Sequence, residues 1–360
     1  MVAARALLTA VLALALLGAA DARAAVAVGI QGWSLPSERS LTAVADGGMR
    51  DFRLVFDWSA IGADRNDHDW EDYDAVMASA ARARVRVLPV LLGCPARLCQ
   101  SRLHPPTTEA QRRGWSAFAG ALARRYGRGG TFWAAHPRLD ARPFVAYQIW
   151  NEPNVRGYWD GRPDPAAYVG LVTRSRSALR EADPRATVVL AGLAESRRGM
   201  TVADFLAGVY AVPGARSRFD AVAIHVYART SARAAGGVQA IRQILDARGD
   251  RGATIWVTEA GWATGGPRGP FRATRARQAE LIRALVRRLR ARAAADRIGA
   301  LYLFSLQDRH TRPGESDWFG PHTGLFDLQG RPKPAWQALA ADLGGSSTAR
   351  LEPVPRAPAD

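Results

Sequence analysis

Short apolar runs alternate with longer amphipathic segments along most of the chain, and this alternation constrains the fold more than any other feature. We count eight such runs: AVAVGIQGW, FRLVFDW, VRVLPVLLG, FVAYQIW, TVVLAGLA, FDAVAIHVY, TIWVTEAGW and IGALYLFSL. Each is continuously apolar rather than strictly alternating, which is typical of strands buried on both faces of a parallel sheet.

Between these runs, apolar residues recur at helical spacing. One face of RQAELIRALVRRLRA carries Leu281, Ile282, Leu285, Val286 and Leu289. Eight strands separated by helices predict an α/β fold, a single-domain (β/α)8 (TIM) barrel over residues 26–343, which typically needs about 250 residues. A doubly wound open sheet is the alternative, but it usually has fewer strands, and no glycine-rich phosphate loop follows the first run.

The two ends of the chain differ from this central region. Residues 1–25 combine Arg5, an apolar run and small residues at a cleavage position, which predicts a secretory signal peptide and a secreted, extracellular protein. That run is too short for a membrane span, so we expect no membrane insertion after cleavage; an uncut N-terminal anchor is the alternative. Residues 344–360 are rich in Pro, Gly and Ser, which predicts a disordered tail.

The formal net charge of +16 raises the question of a polyanionic partner. Nearly all of the positive charge is arginine, with Lys333 the only lysine, and alanine is abundant, as in proteins from GC-rich genomes. The arginines are also spread along the chain. We therefore favour a solvated basic surface over a binding surface for nucleic acid or acidic glycan.

The chain has two cysteines, Cys94 and Cys99, in the stretch GCPARLCQ. In an exported protein, a pair this close predicts a local disulfide that pins one loop. Two thiols alone cannot form a structural zinc site, and the acidic stretch DRNDHDWED lacks the glycine and the closing glutamate of a calcium loop. We expect neither a metal nor a cofactor.

Two carboxylates follow strongly apolar runs. Glu152, in YQIWNEPN, ends the fourth run, and Glu259 lies near the end of the seventh. Because functional residues of such barrels lie at the carboxyl ends of the strands, both side chains are expected to face one cleft. A pair of carboxyl groups about 5–5.5 Å apart suits cleavage of a glycosidic bond, with one as nucleophile and the other as acid and base.

The motif IWNEPN, followed by WVTEAGW, closely resembles the retaining β-glycosidases of glycoside hydrolase clan A, in particular families 39 and 5. The resemblance extends over nearly all of residues 26–343. It implies that Glu152 is the acid/base, that Glu259 is the nucleophile and that Asn151 holds the sugar 2-hydroxyl. Adjacent residues of a strand point to opposite faces, so we expect the pleat to break at Pro153.

The same resemblance implies three further polar site residues. Arg53, in FRLVFDW, matches an arginine that hydrogen-bonds the nucleophile. His225 and Tyr227, in AIHVY, match a His-x-Tyr pair beside the nucleophile. Each of them alone is equally compatible with a structural role in the core, so their combination with both glutamates carries the prediction.

Aromatic residues at strand ends are candidates to stack on sugar rings. We assign this role to Trp33 and Trp262, with packing in the core as the alternative. The sequence departs from the clan at the eighth strand, where a tryptophan usually forms the floor of the sugar subsite. Leu306 stands in that place, with Phe304 nearby.

These observations predict a secreted retaining glycoside hydrolase that cleaves β-linked O-glycosidic bonds in an oligo- or polysaccharide by double displacement. We expect a monomer that binds no nucleic acid. The alternative is a catalytically silent glycan-binding barrel of the cell envelope. A basic nucleic-acid binder would show salt-dependent retention on DNA, but the export signal argues against that class.

Overall fold

The computed structural model describes residues 26–62, 68–315 and 318–355. The predicted signal peptide, residues 1–25, lies outside these ranges. Within them the chain forms nine parallel strands: β1 (Ala27–Gln31), β2 (Asp51–Asp57), β3 (Arg86–Leu92), β4 (Ala146–Ile149), β5 (Thr187–Val189), β6 (Leu193–Ala194), β7 (Ala221–His225), β8 (Thr254–Glu259) and β9 (Ile298–Phe304).

Most of the helices begin at a side chain that satisfies free backbone N–H groups. Before the fourth helix, for example, the Thr108 hydroxyl accepts from the Gln111 N–H, and the Gln111 side chain accepts from the Thr108 N–H. The described helices are α1 (Glu38–Asp46), α2 (Trp58–Ile61), α3 (Glu71–Arg82), α4 (Glu109–Tyr126), α5 (Thr131–Ala135), α6 (Pro165–Ala182), α7 (Val202–Ala211), α8 (Ser231–Ala247), α9 (Arg275–Arg292) and α10 (Pro334–Asp342). None of these has both the length and the apolar character needed to cross a bilayer.

The strands close into a parallel barrel. β1 pairs with both β2 and β9, and the sheet continues through neighbouring strands on either side until β5 pairs with β7 at Val189 and Ala221. The predicted (β/α)8 barrel is therefore confirmed, and the open doubly wound sheet is excluded because the pairing of β5 with β7 closes the sheet. The fifth apolar run forms two short strands, β5 and β6. Together they occupy one strand position of the barrel, and both pair with β7.

The core has two layers, one inside the barrel and one between the strands and the helices. Every residue of β4 and β7 is buried, as expected for strands covered on both faces. The interior layer consists of Leu88, Ala146, Val189, Ala221, Ala223, Ala300 and Tyr302. The predicted apolar face of α9 is buried against the barrel. Full burial of one such side chain contributes about 1.5–3 kcal/mol, so both layers hold the strand ends firmly in place.

The prediction of a disordered tail is wrong for residues 344–355; residues 356–360 lie outside the described ranges. The Leu351 side chain is buried, and its N–H donates to the Gly330 carbonyl at 3.0 Å. The Glu352 carboxylate contacts Arg39 at 3.2 Å and accepts from the Ser37 hydroxyl at 3.2 Å. These contacts fix the segment against the barrel although its composition has no apolar period, because single residues rather than a repeating face make them.

Candidate active site

The polar residues predicted for the site converge at the carboxyl ends of the strands. Glu259 is the last residue of β8, His225 is the last residue of β7, and Glu152 follows the end of β4. Arg53 lies within β2 and reaches the same space. They come from four different strands, so only closure of the barrel brings them together.

Glu259 is held by two donors. Its Oε1 accepts from Arg53 Nη1 at 2.8 Å, and its Oε2 accepts from the Tyr227 hydroxyl at 2.8 Å. The Glu259 side chain is 9% exposed and that of Arg53 only 1%, so the ion pair is buried and only slightly screened by water. Burial and the adjacent carboxylate raise the pKa of Tyr227 well above its ordinary value, so the hydroxyl remains a donor.

Arg53 connects the nucleophile candidate to three neutral side chains. Its Nη2 donates to Asn151 Oδ1 at 2.7 Å, its Nε donates to Gln148 Oε1 at 2.9 Å, and its Nη1 also contacts Gln31. Sequence reasoning missed Gln31 and Gln148. The available signal was an amide side chain inside an otherwise apolar strand, which needs a buried hydrogen-bond partner.

The backbone changes direction at the end of β4, earlier than predicted. Trp150 and Glu152 have φ angles of 70° and 44°, in the left-handed region that residues other than glycine rarely adopt. Each costs about 1–3 kcal/mol, which the surrounding structure must offset. The Trp150 ring is fully buried, and its Nε1 donates to the Tyr158 carbonyl at 2.6 Å. The turn therefore starts before Pro153 and lets both Asn151 and Glu152 line one cavity.

His225 lies between the two carboxylates. Its Nδ1 is 2.6 Å from Glu152 Oε1, and its Nε2 is 3.5 Å from Glu259 Oε1. Both residues of the predicted His-x-Tyr pair lie beside Glu259: the Tyr227 hydroxyl donates to Glu259, and His225, within 3.5 Å of Glu259, also hydrogen-bonds Glu152. The imidazole packs on Gly192, where a Cβ atom would lie 2.0 Å from Nε2. This close approach explains the glycine between β5 and β6.

The two carboxyl groups are close together. Glu152, His225 and Glu259 each offer one ligand atom, and these atoms all lie within 4.8 Å of one another. Their environments differ, since Glu259 has a cationic donor and a hydroxyl donor while Glu152 contacts the histidine. The same three atoms could surround a cation, but the Arg53 guanidinium already lies on Glu259 Oε1. The arrangement fits proton transfer and nucleophilic attack better than metal binding.

These groups lie in a cavity of about 930 Å³ with an aromatic wall. Trp33, Phe304 and Trp318 line it together with Arg309, whose guanidinium stacks over the Trp33 ring at 4.3 Å from the centroid. The ring centroids of Trp33 and Phe304 are 4.6 Å apart. Cavities of this size suit a small molecule or one end of an oligomer, and aromatic faces suit sugar rings.

Two of the aromatic assignments need correction. Trp262 is 1% exposed, donates to the Ala228 carbonyl at 2.8 Å and does not line the cavity, so it packs in the core. At the eighth strand position of the barrel, which β9 occupies, Phe304 lines the cavity and Leu306 does not. β9 ends at Phe304, which places this residue, rather than one beyond the strand, at the level of the site.

A disulfide joins Cys94 and Cys99 in the loop after β3, as predicted. Both residues are buried. The same loop is fixed by the Gln111 side chain, which donates to the Leu98 carbonyl at 2.7 Å. It then brings Arg102 to the cavity, where this side chain pairs with Asp57 at 2.5 Å.

Comparison of the fold with solved structures finds similar barrels among glycoside hydrolases. No protein-family model and no curated protein sequence matches it. A family 39 glycoside hydrolase from the gut symbiont Bacteroides cellulosilyticus WH2 superposes with a TM-score of 0.67 and 17% identity, over 88% of this chain and 62% of that one. The chain thus spans less than two thirds of that enzyme's length.

Two further structures agree. A monomeric β-xylosidase from Caulobacter crescentus CB15 gives a TM-score of 0.64 and 20% identity, over 88% of this chain and 67% of that one. A family 5 subfamily 18 (GH5_18) protein from Streptomyces cattleya in complex with GlcNAc gives 0.65 and 16%, over 92% and 83%. The fold is therefore the (β/α)8 barrel that these solved structures share. Identities this low establish the fold alone.

Proposed function

We propose that this protein is a secreted retaining glycoside hydrolase that cleaves β-linked O-glycosidic bonds in an oligo- or polysaccharide. One observation carries the proposal: Glu152 and Glu259 have carboxyl oxygens within 4.8 Å of each other in a cavity at the carboxyl ends of the strands. Retaining glycosidases have their two carboxyl groups about 5–5.5 Å apart, whereas inverting enzymes need about 6.5–9.5 Å to admit a water molecule between them.

In the first half of the reaction, Glu259 attacks the anomeric carbon and Glu152 protonates the departing glycosidic oxygen. The bond from the anomeric carbon to that oxygen breaks as the bond to a Glu259 oxygen forms. Arg53 and Tyr227 hold Glu259 with both oxygens fixed, so the nucleophile needs no reorientation before attack. His225 orients Glu152 through its Nδ1 contact.

In the second half, Glu152 accepts a proton from water, and the water oxygen displaces Glu259 from the anomeric carbon. The leaving carboxylate regains its negative charge beside the Arg53 guanidinium, a preorganised cation that stabilises this charge. Two displacements restore the original anomeric configuration. Asn151, which accepts from Arg53 and lines the cavity, is placed to donate its amide N–H to the sugar 2-hydroxyl.

Secretion, a monomeric state and the absence of a nucleic-acid partner complete the proposal. The features of residues 1–25 support export, and the Cys94–Cys99 disulfide suits an oxidising compartment. The monomeric Caulobacter xylosidase of the same fold supports a monomer.

The test is a panel of aryl β-glycosides with the wild-type protein, Glu152→Ala, Glu259→Ala and the control Glu195→Ala. Glu195 is exposed and does not line the cavity. We expect turnover of at least one glycoside, with kcat/KM lowered about 10²–10⁴-fold in each site variant and unchanged in the control. The first product anomer, read by NMR, should be β.

The second candidate is a glycan-binding barrel without turnover. It would leave the wild type and Glu259→Ala equally inert on every glycoside and polysaccharide, with both still binding glycan. The presence and convergence of both carboxylates favour the enzyme, because burying a carboxylate such as that of Glu259 without a catalytic role is costly.

A further inference from the structure

The ionisable side chains around the cavity are unusual in composition. Among the described residues, five arginines and four carboxylic acids line it, and none of these lining residues is a lysine or a histidine. The arginines are Arg53, Arg102, Arg198, Arg309 and Arg312, and the acids are Asp57, Glu152, Glu259 and Glu315. Their pairing shows how much of this charge remains available to a ligand.

Three of the arginines are neutralised within the wall. Arg53 pairs with Glu259 at 2.8 Å, and Arg102 pairs with Asp57 at 2.5 Å. Arg309 is 9% exposed and donates to both oxygens of Glu315, at 2.7 and 2.8 Å. The fourth acid, Glu152, is uncharged when it is protonated for the first step of the proposed reaction.

The other two arginines, Arg198 and Arg312, have no carboxylate within ion-pair distance in the part of the chain that the structure describes. Both side chains are exposed, in contrast to the buried Arg53 and Glu259. They therefore lie toward the opening of the cavity and give the described part of its lining a positive charge that no described carboxylate pairs with. This local excess is distinct from the overall charge of the chain, because it is counted over the described residues that line the cavity and remains after their ion pairs are subtracted.

The backbones that carry these two arginines are held in place. The Arg198 carbonyl accepts from the Arg156 N–H at 2.9 Å, and a backbone bridge joins Gly199 to Val155 in the loop that carries Glu152. On the other segment, the Arg312 N–H donates to Glu315 Oε2 at 3.0 Å, the oxygen that also accepts from Arg309. Both guanidinium groups thus project from segments tied to the site itself.

We propose that the cavity opening selects a glycan that carries a carboxylate, as a uronic acid does, on a sugar next to the one attacked. This inference rests on the proposed glycosidase function and adds the class of substrate. Guanidinium groups bind carboxylates through two parallel N–H donors, and two unpaired guanidinium groups attract such a chain electrostatically. Because Arg198 and Arg312 are exposed while Arg53 and Glu259 are buried, the charged group belongs to the neighbouring sugar in this proposal.

The chain contains a matched control for Arg198. Arg197 is the adjacent residue, is also exposed and does not line the cavity. Arg197→Glu and Arg198→Glu therefore change the net charge equally, one residue apart, and differ in whether the side chain faces the cavity. Arg312→Glu provides an independent variant on the segment that carries Glu315.

The substrates are glucuronoxylan and hyaluronan, whose main-chain bonds are β-linked, each compared with the same polymer after chemical reduction of its carboxyl groups to primary alcohols. Aryl β-glycosides report turnover without a charged neighbour. The readouts are the initial rate of reducing-end release and its dependence on salt.

We expect at least one acidic polymer to be cleaved about tenfold or more faster than its reduced form, with the preference falling as salt screens exposed charges. Arg198→Glu and Arg312→Glu should each reduce that preference about five- to twentyfold, and Arg197→Glu should leave it unchanged. Cleavage of aryl glycosides or reduced polymers with no preference for acidic ones would overturn the inference and leave the glycosidase in place. Equal loss of preference in Arg197→Glu and Arg198→Glu would also overturn it. Inertness toward every aryl glycoside and polymer would overturn the glycosidase as well.

Discussion

Replacement of Arg53 by methionine removes the guanidinium cation that contacts the buried Glu259 carboxylate. The side chain of Arg53 is 1% exposed and donates to Glu259, Asn151 and Gln148 at 2.7–2.9 Å. Loss of one partner from a buried ion pair costs about 3–5 kcal/mol, because the remaining charge is left without compensation. At about 2.1 cal/mol/K of unfolding entropy per residue, a barrel of this size should lose roughly 4–7 °C in Tm.

The activity of Arg53→Met should fall for a related reason. A hydrogen bond to a charged group contributes about 1.5–3 kcal/mol, and loss of the contact that orients Glu259 should lower kcat/KM by about ten- to a hundredfold. The assay is hydrolysis of the best aryl glycoside at a temperature well below the lower Tm, so that both proteins are fully folded. Thermal unfolding of the same preparations gives the stability.

The control is a cycle with Glu259→Gln, in which the amide carries no charge. In that background Arg53→Met should cost clearly less than in the wild type, because no buried carboxylate is left uncompensated. An equal loss of stability in both backgrounds would refute the argument, since the ion pair would then contribute nothing to the energy measured.

Three further changes test other parts of the account. Lys333→Met should destabilise the barrel by about 3–5 kcal/mol, because the buried Lys333 contacts Asp308 at 2.7 Å. Burial raises the pKa of Asp308 above its unfolded value, and loss of the cation raises it further, so the deficit should shrink as the pH is lowered from about 8 to about 5. Tyr227→Phe should lower kcat about tenfold with little change in Tm, as measured by steady-state kinetics and thermal unfolding. Cys99→Ser should lower the free energy of unfolding by about 2 kcal/mol, as measured in denaturant.

Each of these changes has an outcome that contradicts it. A deficit of Lys333→Met that grows on acidification would show that Asp308 does not carry the buried charge. An unchanged kcat in Tyr227→Phe would show that the Tyr227 hydroxyl does not contribute to the reaction. If Cys99→Ser is as stable as the wild type and a reductant leaves the stability of the wild type unchanged, the covalent link does not contribute to stability.

The barrel could be predicted because strands that are buried on both faces are continuously apolar in sequence. Each strand position of the barrel is an apolar run in the sequence. The helices between the strands show an apolar face, as α9 does with Leu281 and Leu285. The positions of Glu152 and Glu259 followed from the same pattern, because a carboxylate directly after an apolar strand falls at the carboxyl end of the barrel. Apolar periodicity was therefore enough to predict the fold, and the strand ends were enough to predict that Glu152 and Glu259 lie at the same end of the barrel.

The rest depends on contacts between segments far apart in the chain. The pairing of His225 with Glu152 arises where Gly192 lets the ring approach, and no local pattern encodes that. Trp262 and Phe304 both lie near the carboxyl ends of apolar runs, yet only Phe304 lines the cavity, since side-chain direction at a strand end is set by the tertiary turn. The ordered tail likewise depends on Leu351, one buried residue in a polar segment.

The central claim is that Glu259 captures the sugar covalently while Glu152 lies close enough to serve as acid and base. The most direct measurement is intact-protein and peptide mass spectrometry after incubation with a 2-deoxy-2-fluoro β-glycosyl fluoride of the best substrate sugar. The account predicts one added sugar on the peptide that contains Glu259, and no adduct in Glu259→Gln. A label on another residue, or a productive substrate whose first product is the inverted anomer, would contradict it.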